Sequence, residues 1–572
     1  MKLRQLRIHN FRSIIDADIE INDYTMIVGA NNAGKSNLLA AIRAFYEDIK
    51  YSNEDFPKIG ATSEESWMEL VFDLTPNEWD GLAEKYKEGA SEPRLTVRRY
   101  FSSKERVKAN QSNIYGIVKG EPDKELFYGA KNIGTAKIGH VIYIPALTTA
   151  ADQMKTSGPS PLRDMLNLML KRVVSDSPAY KQIEESFAQL NIEAQGDTGF
   201  LAPIARPINE AIKDWGVRFD MAVNTVSTDD ITKNLVKHAF ADAMLGDAAF
   251  SLDRYGHGFQ RAFIYELIKL ASTFSDRRTS EKKEFDPDFT LILFEEPEAF
   301  LHPAQQDNMA YHLRNIAAGG NQQVIVTSHS PIFVGKVADD LCQIVRARRV
   351  NGLTSLGQIK RQAVKDVFAD GLDFKNCLQS FVADVSIGEE KKAKAKELLK
   401  NTTSDEEIAE DEERFRYQLW LDSDRASMFF ADRVLLVEGA TERALFGWFL
   451  ARDWHDLNRH RVAVIDVMGK FNFHRYMTLL EKFGIPYGLI LDDDNNKNHH
   501  LAVNEMLKNR SGSHQLAPAV LVTNCMEAFL EKPLPKRDDM KPVQMLKELE
   551  AKAIPAEKLT ALRNMFCGAL AI

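Results

Sequence analysis

The sequence lacks the features that mark disulfide-rich, zinc-binding and membrane proteins. Its 572 residues include only four cysteines, and no two of these form a C-x-x-C pair, so neither a disulfide framework nor a zinc site is indicated. No stretch approaches the roughly 20 apolar residues that a membrane span needs, and no apolar signal core follows the basic start. We therefore expect a cytoplasmic protein without a membrane partner.

A large positive charge is also missing. The net charge of -9 argues against a protein that coats nucleic acid by charge alone. It does not exclude DNA as a partner, because a local basic groove is compatible with an acidic total. With 44% hydrophobic and 27% charged residues the composition is that of a globular protein, and the chain is too long for one hydrophobic core.

The pattern of apolar residues divides the chain into five predicted segments. An α/β region covers residues 1–150 and includes a hairpin-like alternation over 3–28. Residues 151–250 have helical spacing, with apolar stripes at 162–173 and 183–190, and a second α/β region covers 251–350. A connector at 351–430, highly charged between 386 and 413, precedes a last α/β region at 431–572. Strands alternate with helices in this last region, which predicts a parallel sheet.

One motif predicts a nucleotide site. Residues 29–36 read G-A-N-N-A-G-K-S between an apolar strand and an amphipathic helix. In this motif glycines let backbone amides approach the phosphates of ATP, the lysine reaches the terminal phosphates and the serine hydroxyl binds magnesium. The predicted nucleotide ligands here are Gly29, Asn31, Asn32, Gly34, Lys35 and Ser36.

Two further strands end in residues suited to the same site. The apolar strand at 291–294 ends in Glu295 and Glu296, as a Walker B motif does. We expect Glu295 to hold magnesium through water, and Glu296 to orient or deprotonate the attacking water. A later apolar strand ends at His329 within T-S-H-S-P.

These motifs, in this order, resemble the ABC ATPase heads of recombination and chromosome-maintenance proteins. The resemblance makes residues 254–261 a degenerate signature loop and His329 the switch histidine. In such heads the signature of one subunit completes the nucleotide site of the other, which implies a dimer. The helical insert is then a natural place for the subunit contact, although ordinary helix packing also explains its apolar stripes.

Acidic residues follow two apolar strands of the last region. One strand delivers Glu438, with Glu442 one helical turn later, and another delivers Asp492 and Asp494 on the same side. Strand ends of a parallel sheet share one edge, so these carboxylates are expected to converge. Carboxylates so close are costly unless cations neutralise them, which predicts a Mg²⁺ or Mn²⁺ site able to cleave phosphodiesters.

V-E-G-x-T-E followed by D-x-D resembles a Toprim domain. An ATPase head followed by a Toprim domain is similar to the OLD (overcoming lysogenisation defect) family of nucleases, which includes the nuclease subunit of the Gabija anti-phage system. The predicted fold class is therefore α/β, with an ABC-type ATPase head, a helical insert for dimerisation and a C-terminal Toprim domain. The resemblance covers nearly the whole chain.

This resemblance implies a metal-dependent DNA endonuclease under ATP control in phage defence. It implies a dimer or tetramer joined through the ATPase region and, in the Gabija type, a helicase partner. It further implies a later glutamate and a lysine at the metal site. Glu527 and Lys541 match these two, whereas Glu531 competes for the first role and Lys532 or Lys536 for the second.

Two other functions are compatible with the same motifs. A topoisomerase or primase shares the Toprim core, but a topoisomerase needs a tyrosine nucleophile in a separate cleavage domain, and no region of that size is left in the chain. A non-cutting ATPase of DNA repair or chromosome maintenance would use the Toprim acids only to bind metal.

Overall fold

The computed structural model describes residues 1–88, 92–133, 136–146, 177–194, 199–217, 289–299, 301–318, 322–335, 340–368, 370–400, 406–496, 499–533 and 535–572, with scattered residues between 219 and 287. Within these residues the strands form four sheets. The strands are β1 Lys2–Phe11, β2 Ile14–Glu20, β3 Tyr24–Val28, β4 Ser66–Asp73, β5 Arg94–Ser102, β6 Ile114–Val118, β7 Glu121–Pro122, β8 His140–Ile144, β9 Phe240–Asp242, β10 Ala248–Phe250, β11 Thr290–Glu295, β12 Gln322–Ser328, β13 Ile344–Val350, β14 Leu353–Gln358, β15 Arg433–Val437, β16 Val462–Asp466, β17 Tyr487–Asp492 and β18 Val520–Val522.

Two six-stranded sheets form the N-terminal part of the protein. One is antiparallel, with the order β2-β1-β4-β5-β6-β7. The other, called the central sheet here, has the order β14-β13-β3-β12-β11-β8 and is parallel except for β14. All five residues of β3 are buried, and this strand leads directly into Gly29. The loop after β3 therefore lies at the carboxyl edge of the central sheet.

The hairpin predicted within residues 3–28 is formed by β1 and β2, whereas β3 pairs with β12 and β13 in the central sheet. All five residues of β3 are buried, which requires packed layers on both faces of its sheet. The central sheet also continues through β14 to Gln358, past the predicted boundary at residue 350. The L-T-S-L-G-Q sequence of β14 is too polar to announce a strand by its apolar pattern.

The predicted helical insert is described in part. Helices at Pro178–Ala194 and Ala202–Ile212 agree with the helical spacing, whereas the apolar stripe at 162–173 lies outside the described residues. The strands β9 and β10 pair in an antiparallel sheet, so the insert is not helical throughout. Strands of three residues are too short to show in an apolar pattern.

The C-terminal sheet has the order β16-β15-β17-β18, and all its strands are parallel. This confirms the predicted parallel α/β region, and the charged connector before it contains the helices Glu389–Lys400 and Glu406–Trp420. The further helices, outside the insert, are Lys35–Phe45, Pro76–Gly81, Pro303–Ala318, Pro331–Gly335, Val364–Phe368, Asp370–Ala383, Glu389–Lys400, Glu406–Trp420, Ala440–Arg452, Phe473–Lys482, His499–Asn509, Met526–Phe529, Lys541–Glu550 and Ala556–Leu570.

The central and C-terminal sheets share one hydrophobic core. Buried residues of β3 and β12 belong to the same cluster as buried residues of β15 and β17. Arg346 of β13, only 3% exposed, connects the two sheets. Its guanidinium donates hydrogen bonds to the carbonyl oxygens of Phe429 (3.2 Å), Ala431 (2.9 Å) and Gly484 (3.1 Å). Three of the five N–H donors of this buried guanidinium are thus bonded to the backbone around the C-terminal sheet.

Among the described helices, none has the length and apolar character that a membrane crossing requires.

Candidate active site

The loop between β3 and the helix Lys35–Phe45 forms a tight cradle. Gly29 and Gly34 have positive φ angles of 145° and 103°. A Cβ atom at Gly29 would lie 2.1 Å from the carbonyl oxygen of Ala347, and one at Gly34 would lie 2.0 Å from Oγ1 of Thr354. Glycine is therefore required at both positions, and the helix N-terminus offers its backbone amides to an anion in the loop.

Lys35 lies inside this cradle. Its ammonium donates hydrogen bonds to the carbonyl oxygens of Gly29 (2.9 Å) and Ala30 (3.1 Å). Burial lowers the pKa of Lys35 to about 8, against the opposing effect of nearby carboxylates. Phosphate oxygens are stronger acceptors than neutral carbonyls, so this ammonium is suited to exchange them for phosphate. Asn31 and Asn32 are exposed in the same loop, and Arg349 donates to Oδ1 of Asn32 at 2.7 Å.

Glu295 ends β11 beside the cradle. Its Oε1 accepts a hydrogen bond from the Ser36 hydroxyl (2.5 Å), and its Oε2 accepts one from the hydroxyl of Tyr143 on the neighbouring β8 (2.5 Å). Ser36 and Glu295 are the pair that sequence reasoning assigned to magnesium, and the structure brings their oxygens together. Tyr143 was missed, because it lies far away in sequence.

Glu296 and His329 meet at the ends of β11 and β12. Oε1 of Glu296 lies 3.3 Å from Nε2 of His329. Burial, with a contribution from Lys35, lowers the pKa of His329 to about 4, so the imidazole is neutral at pH 7. Glu298, also missed, fixes this turn by accepting hydrogen bonds from the His329 amide (2.6 Å) and the Ser328 hydroxyl (3.0 Å).

The predicted signature loop, residues 254–261, lies outside the described residues except for Tyr255, Gly256 and Phe259. Its place at the nucleotide site stays a prediction.

The second acidic group forms at the carboxyl edge of the C-terminal sheet. Glu438 follows β15 directly, and Asp492 ends β17. Glu527 lies in the short helix Met526–Phe529, which follows β18. Glu442 lies in the first turn of the helix after β15, where its Oε2 accepts a hydrogen bond from the Gly439 amide (3.0 Å). Because β15, β17 and β18 are parallel neighbours, their ends bring these side chains to one place.

These carboxylates interact electrostatically. Burial, together with the charges of Glu442, Glu438, Asp494 and Glu527, raises the pKa of Asp492 to about 9. Burial also raises the pKa of Glu442 to about 7, with contributions from Glu438 and Glu527. All five predicted carboxylates therefore belong to one cluster, called the acidic cluster below.

Two family models match the chain. A model described as AAA ATPase domain matches residues 1–138 and 152–334, more than half of the chain. The chain belongs to this family. A second model, described as Overcoming lysogenization defect protein-like, TOPRIM domain, matches residues 429–494, which include four of the five clustered carboxylates. The predicted order of an ATPase head and a C-terminal Toprim domain is confirmed.

Three characterised proteins are similar over both parts of the chain. The Old nuclease of Escherichia phage P2 is 23% identical, over 86% of this chain and 77% of its own length. The OLD nuclease of Thermus scotoductus (strain ATCC 700910 / SA-01) is 22% identical, over 86% and 82%. Endonuclease GajA of Bacillus cereus (strain VD045) is 21% identical, over 86% and 75%. The predicted resemblance to OLD-family nucleases is thus confirmed.

A lysine and a histidine complete the acidic cluster of the Toprim domain. Lys470, 2% exposed, contacts Oδ2 of Asp494 through its ammonium, which also lies 3.8 Å from Oε2 of Glu438. Nδ1 of His500 lies 3.0 Å from Oδ2 of Asp494. Although burial opposes it, these two partners lower the pKa of Asp494 to about 2. Sequence reasoning missed both residues; the only signal for Lys470 is its position just after the apolar strand β16.

The other predicted members of this site lie elsewhere or stay untested. Glu531 forms an ion pair with Lys558 (3.1 Å), and Lys532 forms one with Glu548 (3.1 Å), so Glu527 is the glutamate that joins the acidic cluster. Lys536 is exposed. Lys541 is the first residue of the helix Lys541–Glu550, and its catalytic role stays a prediction.

The acidic cluster fits a divalent cation in its chemistry. All its donors are carboxylate oxygens, which Mg²⁺ and Mn²⁺ prefer. Oε2 of Glu438 is buried without a hydrogen-bond partner in the described part of the protein, as expected for an atom that binds a cation. In the described ranges no three His, Cys, Asp or Glu side chains are arranged to hold a metal ion as they stand, so the carboxylates must move to bind one.

Proposed function

We propose that the protein is a cytoplasmic DNA endonuclease that hydrolyses phosphodiester bonds at the acidic cluster with Mg²⁺ or Mn²⁺, under the control of ATP bound at the AAA head. Its class, a nuclease joined to an ATPase domain, is supported by relatives named as nucleases over most of the chain. The observation that carries the chemistry is the set of five carboxylates at one edge of a parallel sheet, where burial and neighbouring carboxylates raise the pKa values of Glu438, Glu442 and Asp492.

The residues of the acidic cluster divide the work at the scissile phosphate. Glu438, Glu442, Asp492, Asp494 and Glu527 would hold the cation, which polarises the phosphodiester and activates water when bound. Without a cation the pKa values of Glu442 and Asp492 are raised to about 7 and about 9, so binding of a cation would release protons from these carboxyl groups.

The ammonium of Lys470 lies beside the acidic cluster, against Asp494 and Glu438. There it would stabilise negative charge that develops on the phosphate.

The AAA head supplies the nucleotide control. The cradle residues and Lys35 bind the phosphates of ATP, Ser36 and Glu295 would hold its Mg²⁺, and Glu296 orients the attacking water with His329 beside it. We further propose that the head assembles two or four copies of the chain, because an ABC-type signature loop acts on the nucleotide of a neighbouring subunit. We also propose a role in phage defence with a helicase as partner, on the basis of the resemblance to the GajA proteins.

The deciding experiment is plasmid nicking with Mg²⁺ or Mn²⁺, with and without ATP. The double variant Asp492→Ala, Asp494→Ala is expected to lose nicking of supercoiled plasmid and to keep nucleotide binding. Lys35→Ala is expected to lose nucleotide binding and to nick at a rate that no longer responds to ATP.

Asp493 offers a matched control within the same acidic triplet. Its Oδ1 accepts hydrogen bonds from the backbone amides of Asn495 (2.7 Å) and Asn524 (2.6 Å), away from the acidic cluster. Asp493→Asn keeps an oxygen acceptor and should nick as the wild type does. If the double variant still nicks, or if the wild type leaves plasmid intact with both metals, the nuclease proposal is wrong.

A further inference from the structure

The Walker B carboxylate of this protein is held from both sides. Glu295 accepts one hydrogen bond on each oxygen, from Ser36 and from Tyr143, both at 2.5 Å. Ser36 belongs to the nucleotide loop, whereas Tyr143 lies on β8. There Tyr143 pairs with Leu293 of β11, two positions before Glu295. We propose that Tyr143 is a positioning residue that fixes the carboxylate of Glu295 for Mg²⁺–ATP. This inference rests on the proposed use of ATP by the head.

The chain needs such a residue because its Walker B acid is a glutamate. P-loop ATPases hold magnesium with the loop Ser or Thr and with an aspartate at the end of the Walker B strand. A glutamate is longer by one methylene and has an additional rotatable bond, so its carboxylate samples more positions at the strand end. A hydrogen bond from Tyr143 to the far oxygen selects the position in which the near oxygen faces Ser36.

Tyr143 is itself held in place by the helix that follows the nucleotide loop. The guanidinium of Arg43 lies over the Tyr143 ring, with its central carbon 3.6 Å from the ring centroid. Nε of Arg43 donates to Oδ2 of Asp48 at 2.5 Å, which orients the guanidinium. Arg43 belongs to the same helix, Lys35–Phe45, that carries Ser36. Both groups that hold Glu295 are thus attached to the nucleotide loop and its helix.

The test measures how nucleotide binding depends on Mg²⁺ concentration. The full-length Tyr143→Phe variant is titrated with a fluorescent, non-hydrolysable ATP analogue at a series of Mg²⁺ concentrations. Loss of one hydrogen bond to a charged group should raise the Mg²⁺ concentration for half-maximal binding about tenfold. Binding measured in EDTA should stay unchanged, because the tyrosine acts on the metal ligand and not on the phosphates.

A matched control is available in the same sheet. The hydroxyl of Tyr24 on β3 is buried and has no hydrogen-bond partner in the described residues, so Tyr24→Phe removes a phenol oxygen without removing a contact. This variant should keep the Mg²⁺ dependence of the wild type. Melting temperatures of both variants establish that they are folded.

A second variant separates positioning from packing. Glu295→Asp withdraws the carboxylate from Tyr143, so adding Tyr143→Phe to it should change the Mg²⁺ dependence less than about twofold. The inference is overturned if Tyr143→Phe shifts the Mg²⁺ dependence no more than Tyr24→Phe does, while the wild type binds the analogue normally. If the wild type does not bind the analogue with Mg²⁺ at all, the proposed ATP control fails together with this inference.

Discussion

Replacing Lys470 by methionine removes the ammonium group from the acidic cluster. The ammonium lies 3.8 Å from Oε2 of Glu438, and at an effective dielectric constant of about 20 one such pair attracts by roughly 4 kcal/mol. Lys470 also contacts Asp494, and its side chain is nearly inaccessible to water. Breaking a buried pair leaves the remaining charges uncompensated, so we expect Lys470→Met to lower the free energy of unfolding by about 3 to 5 kcal/mol.

Lys482 provides a control with the same separation but without burial. Its ammonium also lies 3.8 Å from a carboxylate, that of Asp366, but the two side chains are 37% and 69% exposed. Lys482→Met should therefore cost less than about 1 kcal/mol. Both variants are compared with the wild type by urea denaturation in EDTA at pH 7. Equal losses for the two variants would refute the idea that burial gives the Lys470 contacts their strength.

The same variant tests whether the acidic cluster binds a cation. A divalent ion would replace the missing positive charge, so Mg²⁺ should stabilise Lys470→Met more than it stabilises the wild type. A stabilisation by Mg²⁺ that is the same in both proteins would contradict a metal site beside Lys470.

Two more predictions concern pH and the joint between the sheets. The pKa of Asp492 is raised to about 9 in the native state. Between about pH 4 and pH 9 the native carboxyl group therefore keeps a proton that the unfolded chain releases. The free energy of unfolding of the metal-free protein should therefore fall as the pH rises from about 4 to 9. Asp492→Asn should therefore raise the free energy of unfolding in EDTA at pH 8 by at least about 1 kcal/mol relative to the wild type. A variant that is less stable than the wild type under these conditions would contradict the predicted direction. Arg346→Met leaves three buried carbonyl oxygens without their donor and should cost about 3 kcal/mol in urea denaturation, whereas a loss below about 1 kcal/mol would show that water replaces the guanidinium.

The sequence was sufficient where a site is built from consecutive residues. The nucleotide loop, the Walker B acids and the acids after β15 and β17 each follow an apolar strand directly, so local patterns placed them at strand ends. The parallel arrangement of the last region then followed from the alternation of strands and helices. Four of the clustered carboxylates were predicted for this reason, whereas Glu527 was matched through the family resemblance, because no local pattern distinguished it from Glu531.

The sequence was insufficient where a contact depends on strand order. Tyr143 reaches Glu295 only because β8 lies beside β11, and 152 positions separate the two residues. Lys470 enters the acidic cluster because β16 lies beside β15, which no spacing in the chain announces. The three-residue strands β9 and β10 and the polar strand β14 were missed because their side chains carry no regular apolar alternation.

Arg346 of β13 makes it difficult to exchange the ATPase head or the Toprim domain separately between proteins. Strand β13 contacts both parts of the protein. Arg346 bonds to the backbone before β15, and the carbonyl group of the next residue, Ala347, packs against Gly29 of the nucleotide loop. A graft that supplies a foreign Toprim domain would have to present carbonyl groups at matching positions and continue a core begun by another polypeptide. Replacing the Toprim domain alone would therefore expose this shared core to water and remove the acceptors of the Arg346 guanidinium.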